Sequence, residues 1–225
     1  QQSGAATGTK GRCLITGELA ELARLHQPTI KNVKGAHPTG AMLVSFNDAA
    51  YRSYAKDKGL NAPVSESAAF AYCEALNYLL REKRHRFRIG DATTVFWTDR
   101  PSAAEDLMAL FFGGSSDAES AEEAESSELK QRLTAFLEKT AQGTLSNDDL
   151  GDASTRFYIL GLSPNGPRLS VRFWHSATLG NLLQNLQKHQ QDLEMVRQWD
   201  ESNSKKPEPK FPSINLLLSQ TVSKK

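Results

Sequence analysis

Two runs rich in β-branched, aromatic and aliphatic residues, Arg156 to Leu162 and Arg168 to Trp174, flank the pentapeptide Ser-Pro-Asn-Gly-Pro at 163–167. Proline presets one turn dihedral, Asn-Gly tolerates positive φ, and apolar runs on either side of such a turn form a β-hairpin. In the second run Leu169, Val171 and Phe173 fall on one face and Arg168, Ser170 and Arg172 on the other, the period of a strand with one side covered. A hairpin cannot stand alone in water, so helices or further strands must cover it. This excludes an all-helical bundle.

The rest of the chain supplies those helices. From Glu66 to Lys83, Ala69, Tyr72, Cys73, Leu76, Leu79 and Leu80 recur at three- and four-residue steps, with Ser65 in N-cap position after Pro63. Leu179 to Trp199 repeats the pattern through Leu182, Leu183, Leu186, Leu193 and Val196. Thr93 to Thr98 reads as a strand, Pro101 to Phe112 as a helix ending at Gly113-Gly114, and Leu129 to Leu145 as a further helix. Two short apolar runs, Cys13 to Ile15 and Ala41 to Phe46, read as strands flanking a basic loop. The expected fold is α+β, with short strands and an antiparallel hairpin packed against amphipathic helices. The expected organisation is a flexible arm (1–11), a basic α+β segment (12–114), an acidic linker (115–127), a helix, hairpin and long helix of the same domain (128–200), and a linker with the start of a further element (201–225).

A chain of 225 residues is long enough for a buried core. Its formal charge of +1 conceals a gradient: 14 basic and 9 acidic side chains up to residue 100, against 3 and 11 over 101–150. Residues 115–127 hold five acids and five serines with nothing larger than alanine among the apolar residues, a composition that stays solvated. Two cysteines, Cys13 and Cys73, sixty residues apart, exclude a disulfide scaffold and a four-cysteine zinc site. No apolar run approaches the roughly 18 residues of a membrane span, so the expected location is the cytoplasm, with no membrane partner. The chain opens with Gln1-Gln2-Ser3 rather than Met, and excision from a longer polypeptide is the expectation.

Catalytic and cofactor signals are weak, and no cofactor is expected. Gly4 to Gly11 lacks the spacing of a phosphate-binding loop and follows no strand. The histidines show no ligand spacing with one another or with either cysteine. Cys13 lies in an apolar neighbourhood typical of an inert buried thiol, and Asp148-Asp149 reads as a polar turn or cap as readily as a cation site. Neither carries an enzymatic assignment.

The basic first half is more informative. Lys31, Lys34, His37, Arg52, Lys56 and Lys58 alternate with Asn32, Thr39, Ser45, Asn47, Tyr54 and Asn61. Ammonium groups meet phosphates, while amides, hydroxyls and rings reach base edges and faces, so the mixture suits nucleic acid. A solvated basic surface loop has the same composition. Arg81 to Arg88 is a second candidate phosphate patch, with an ordinary helix C-cap as the alternative. The hairpin arginines Arg168 and Arg172 with Phe157 and Tyr158 could form an RNA-binding face, although core packing accounts for them better.

Several strings taken together resemble a known family. Cys13-Leu-Ile-Thr-Gly-Glu18, Arg24-Leu-His26, Ile30-Lys-Asn-Val-Lys-Gly35, Gly40-Ala-Met-Leu-Val-Ser-Phe-Asn47, Tyr51 to Tyr54, Asn61-Ala-Pro-Val-Ser65 and Ala68 to Leu80 are similar to the large subunit of type I-C CRISPR interference (Cascade) complexes. So are Thr94-Val-Phe-Trp97 and Arg156 to Asn165 followed by Arg168 to Trp174. The strings run in order from about Cys13 to Trp199, as in a central segment of the longer family polypeptide. The resemblance implies a non-enzymatic bacterial antiviral subunit beside the crRNA 5′ end. It would recognise the protospacer-adjacent motif (PAM), help separate the strands of target double-stranded DNA, stabilise the R-loop and recruit the helicase-nuclease. Its implied partners are the crRNA-containing surveillance complex with its backbone and small subunits, target DNA and that nuclease. Residues 30–61 then become the candidate nucleic-acid site, through Lys31, Asn32, Lys34, Ser45 and Asn47, with Lys56, Lys58 and Asn61 behind them. The alternative is a scaffold segment that packs against neighbouring subunits and touches no nucleic acid.

Overall fold

A computed structural model describes residues 8–102 and 152–192, together with isolated positions at 109, 135, 138, 139, 142, 144 and 221. Its fold is α+β, as expected. The chain divides into two units, the first comprising 1–83 with 161–172 and the second 84–160 with 173–225.

In the first unit, β1 (Lys10–Arg12) pairs antiparallel with β2 (Leu19–Glu21), Arg12 lying opposite Leu19. The turn between them closes through Cys13 N–H to Glu18 C=O at 2.8 Å and Gly17 N–H to Cys13 C=O at 2.9 Å. Gly17 sits there at φ +74°, where a side chain would be strained. The expected strand at Cys13 to Ile15 is therefore a turn, and Leu14 and Ile15 project into solvent. Apolar content misled here because β1 is made by Lys10, Gly11 and Arg12, whose backbones pair whatever their side chains are. The expected strand at Ala41 to Phe46 likewise reduces to isolated bridges at Ala41 and Met42.

Helix α1 (Glu66–Arg81) begins where the sequence places it. Ser65 holds an extended backbone, and its hydroxyl accepts the Ala68 N–H, one of the donors a helix start leaves open. Ala69, Cys73, Leu76 and Leu80 form its buried stripe. Sixteen residues are marginal as an isolated helix, so this stripe holds it in place, with each fully buried leucine contributing about 1.5–3 kcal/mol. Cys13, Ala23, Val64 and Ala69 form a small core packed by Ala68 and Tyr72. His26 is buried beside it, its Nδ1 and the Tyr72 hydroxyl 2.7 Å apart.

In the second unit, β3 (Arg86–Ile89) and β4 (Ala92–Thr98) form an antiparallel hairpin that turns at Gly90, φ +58°. The longer hairpin of β5 (Arg156–Asn165) and β6 (Arg168–Thr178) completes a sheet in the order β3-β4-β5-β6. Its base belongs to the second unit and its tip to the first. The connection is the two residues Gly166-Pro167 rather than the whole pentapeptide, because Ser163 to Asn165 continue β5. Phe96 and Phe157 stack with centroids 5.8 Å apart, both buried, and Phe87 lies 5.9 Å from Phe96. Helix α2 (Leu179–Asp192) follows β6 directly, with Leu179 and Leu183 buried and the Thr178 hydroxyl accepting the Asn181 N–H.

The expected helices at 101–112 and 129–145, the acidic stretch 115–127, the Asp148-Asp149 pair, the far end of the last helix and the terminal element lie outside the described residues, apart from helical positions at 109, 135, 138, 139, 142 and 221. No helix among the described residues is long and apolar enough to cross a membrane.

Two tests follow from this packing. A Cβ on Gly59 would stand 2.0 Å from the Ala23 carbonyl oxygen, a backbone atom that cannot step aside. Gly59→Ala is expected to lower unfolding stability by more than about 2 kcal/mol, against about 1–2 kcal/mol for Gly90→Ala, which meets only backbone strain; denaturant midpoints compare them. Burial pushes the His26 pKa down, opposed in part by the Ala62 backbone, so the folded ring stays neutral where the unfolded ring gains a proton. Stability is therefore lost as pH falls below about 6.5, and the drop between pH 7 and 5.5 should be smaller in His26→Gln, read as the melting-temperature difference.

Candidate nucleic-acid interface

Ile30 and Ala41, both buried, exchange backbone hydrogen bonds of 2.8 and 2.9 Å and so close 31–40 into a loop. Asn77 and a few short-range bonds hold its backbone. Asn77, on α1, accepts the Lys31 N–H at 2.8 Å and donates to the Thr29 carbonyl at 3.0 Å. The Thr29 hydroxyl donates to the Thr39 carbonyl, and Ala36 and Gly40 N–H groups donate to Val33 and His37 carbonyls. Val33 is buried, and Asn32 (φ +63°) and Gly35 (φ +80°) bend the chain around it. Asparagine tolerates that region better than other side chains. Gly40 (φ +99°) has no such latitude, since a Cβ there would stand 2.8 Å from Thr29 Cβ and 2.9 Å from the Ile30 carbonyl oxygen. With Val33 turned inward, Lys31, Asn32 and Lys34 are exposed.

The next loop carries Ser45 and Asn47. It leaves through Met42, whose N–H donates to the Pro167 carbonyl and whose carbonyl accepts the Leu169 N–H. It is pinned again by Arg168, which donates to the Tyr51 hydroxyl at 2.8 Å and to the Asp48 carboxylate at 3.1 Å, with its guanidinium 5.4 Å from the Tyr51 ring centroid. The Tyr51 hydroxyl is the main reason the Arg168 pKa is raised, with Asp48 adding to it. Phe46 packs edge-on against Tyr51 at 5.4 Å. Ser45 is half-buried, and Asn47 is exposed next to the pinned Asp48. Arg168, a candidate for a nucleic-acid face in the sequence, thus serves as a clamp for the loop. Arg172 bonds the Ser163 hydroxyl.

The third stretch, 52–61, brings Lys56, Lys58 and Asn61 together. Asn61 Nδ2 donates to the carbonyls of Lys58 at 3.2 Å and Lys56 at 3.4 Å, so its amide nitrogen is committed to closing this turn. Lys56 is exposed and Lys58 half-buried, and Ala55 and Lys58 both have positive φ. Gly59 N–H ties the turn to the Arg24 carbonyl at 3.0 Å. Tyr54 stands exposed beside it. Both acids of 30–61 are matched by arginines, Asp48 by Arg168 and Asp57 by Arg52 at 3.4 Å.

The sequence alone missed Asn77, Tyr51 and the clamping part of Arg168. Asn77 carried a signal, since it interrupts the otherwise apolar end of α1 between Leu76 and Leu79-Leu80. Arg168 carried none, because its partners lie 117 and 120 residues away.

Of the alternative chemistries, Cys13 is buried, and its thiol is brought down to about 6, first by the Ser65 hydroxyl and then by the Ser65 and Thr16 backbones. Burial pushes the Cys73 thiol up. No cluster of three or more metal-ligating side chains occurs among the described residues. Lys10 and Gly11 of the Gly-rich start lie in β1.

Replacing Asn77 by leucine would leave the Lys31 N–H and the Thr29 carbonyl without their partner. Asn77→Leu is expected to cost about 1–3 kcal/mol and to speed amide hydrogen exchange at 31–40, while leaving exchange in β3 and β4 unchanged.

The sequence of these loops, of α1 and of the hairpin together carries the resemblance described above. No curated protein matches the chain. The family model for the CRISPR-associated protein (Cas_Csd1) matches residues 1–225, the entire sequence, in keeping with kinship to a Cascade large subunit. The chain therefore belongs to the Cas_Csd1 family of CRISPR-associated proteins.

Proposed function

We propose that the chain acts as a non-enzymatic large subunit of a type I-C surveillance complex and that the loops of 30–61 contact target duplex DNA. The observation that carries this reading is the closed loop 31–40, held at its neck by Ile30 and Ala41 and tied to α1 by Asn77, while Lys31, Asn32 and Lys34 are exposed. A loop held this way meets a ligand with little ordering cost, and its side chains are of the kinds that bind phosphate and base edges. Lys31 and Lys34 hold the DNA backbone. Asn47, on the loop clamped by Arg168, is suited to base readout at the PAM, since an amide can donate and accept at once. Lys56 and Lys58 extend the basic surface, and Asn61 shapes their turn. Strand separation, R-loop stabilisation and recruitment of the helicase-nuclease belong to the same reading through the family, and the setting is the bacterial cytoplasm.

Electrophoretic mobility of the reconstituted complex tests this. Lys31→Ala/Lys34→Ala should weaken binding to PAM-containing and PAM-mutated duplex alike and lower the slope of log affinity against log salt by about 1–2. Asn47→Ala should lose preference for the PAM duplex, by roughly five- to hundredfold for one lost base contact. If every variant binds like the parent, the scaffold reading takes over. One observation favours it: Leu14, Ile15 and Leu19 stand exposed on and beside the β1–β2 turn, where a neighbouring subunit could cover them.

A further inference from the structure

The sheet of the second unit has two aromatic clusters. On one face Phe87, Phe96 and Phe157 are buried and make the core. The other cluster runs across three successive strands: Trp97 on β4, Tyr158 on β5 and Trp174 on β6. Trp97 and Tyr158 stack with centroids 5.4 Å apart and planes 19° from parallel. Trp174 closes the triangle at 5.6 Å from Trp97 and 5.8 Å from Tyr158. Trp97 and Tyr158 are half-buried, and Trp174 is 54% exposed. Exposing that much indole costs stability that burial would recover, so the core does not explain why it stands there.

Arginines share the side of the sheet that carries the cluster. Arg156 lies two residues before Tyr158 on β5, hence on the same face, and is exposed. Arg86 pairs with Val95, which shares a face with Trp97, and so projects to that side as well. Arg84 precedes it, also exposed. Asp99 accepts the Arg156 backbone N–H at 3.0 Å. Flat aromatic faces beside arginines are complementary to unpaired bases on a phosphate backbone. Base-on-aromatic stacking is tolerant of sequence, whereas in a duplex the base faces are already occupied.

We propose that Trp97, Tyr158 and Trp174 form a stacking platform for single-stranded DNA, with Trp174 as the contacting ring and Arg156 on the phosphates. This is a surface distinct from the loops of 30–61. The source of its strand, the one displaced when a target duplex opens, rests on the function proposed above; the platform itself does not.

Tryptophan fluorescence of the 225-residue chain, titrated with the oligonucleotide dT20 at low salt, tests the platform. Binding should quench the emission. Trp174→Ala should weaken dT20 binding, followed by anisotropy of a labelled strand, by about tenfold, with Trp174→Phe retaining most of it. Arg156→Ala should weaken it less and flatten its salt dependence. Trp174 is exposed, so these variants should melt like the parent; where Trp174→Ala does not, Trp174→Leu, which keeps apolar bulk but has no stacking face, is expected to weaken dT20 binding in its place. Lys31→Ala/Lys34→Ala should leave dT20 binding intact while lowering duplex capture, so the two surfaces fail separately. The proposal is overturned if dT20 leaves the emission unchanged, if Trp174→Ala binds it like the parent, or if rU20 binds more tightly than dT20.

Discussion

The side-chain amide of Asn77 meets two backbone groups of a segment with almost no regular secondary structure, and the loops of the candidate interface depend on that contact. Residues 24–62 contain only bridges and single turns, so their polar groups cannot be satisfied by a ladder. Asn77 accepts from Lys31 and donates to Thr29, which fixes both sides of the chain at the point where Ile30 and Ala41 close the loop. Because Asn77 sits on α1, the precision of the loop is that of the helix. The helix in turn is positioned by the Ser65 cap at one end and its buried stripe along the other side.

The same solution recurs in the two neighbouring stretches. Arg168 substitutes for a sheet partner at 48–51, Asn61 for one at 56–58, and the Arg24 carbonyl receives Gly59. Each fixing group is a polar side chain or a close backbone approach, and each leaves adjacent side chains pointing outward. Loops held in this way carry recognition residues at low conformational cost, the arrangement a binding surface requires. Three non-glycine residues with positive φ, Asn32, Ala55 and Lys58, fall within these stretches. Such conformations persist only where the surroundings over-determine them.

Local pattern revealed a good part of the fold. The cap and stripe of α1, the strand at β4, the long hairpin and the start of α2 all follow from periodicity over ten or so residues. The failures were equally local in origin. Arg86-Phe-Arg-Ile89 has a strand's alternation, but its cations follow a helix end and suit a C-cap, so β3 was hidden. β1 was hidden because glycine and charged residues form it, while the apolar Cys13 to Ile15 next to it looked like the strand. In the candidate interface, Lys31, Asn32 and Lys34, singled out from the sequence, are exposed. The sequence could not tell that Asn61 closes a turn while Asn47 faces solvent, since the two residues are chemically identical and differ only in which carbonyls lie near.

By itself the sequence determined the class of fold, the family and the basic, amide-rich stretch where a nucleic acid would be sought. These properties are written in near neighbours: periodicity, turn chemistry, charge and ordered strings. Only the tertiary structure decided what each polar residue does. Arg168 meets Asp48 and Tyr51, and Trp97, Tyr158 and Trp174 meet one another, across 117 and 120 residues in the first case and across strands up to 77 residues apart in the second. Contacts at that separation are set by strand order and loop closure. No property of a side chain or of its immediate neighbours encodes them, so the division of these residues into clamps, turn-closing groups and exposed polar groups emerges only once the chain is folded.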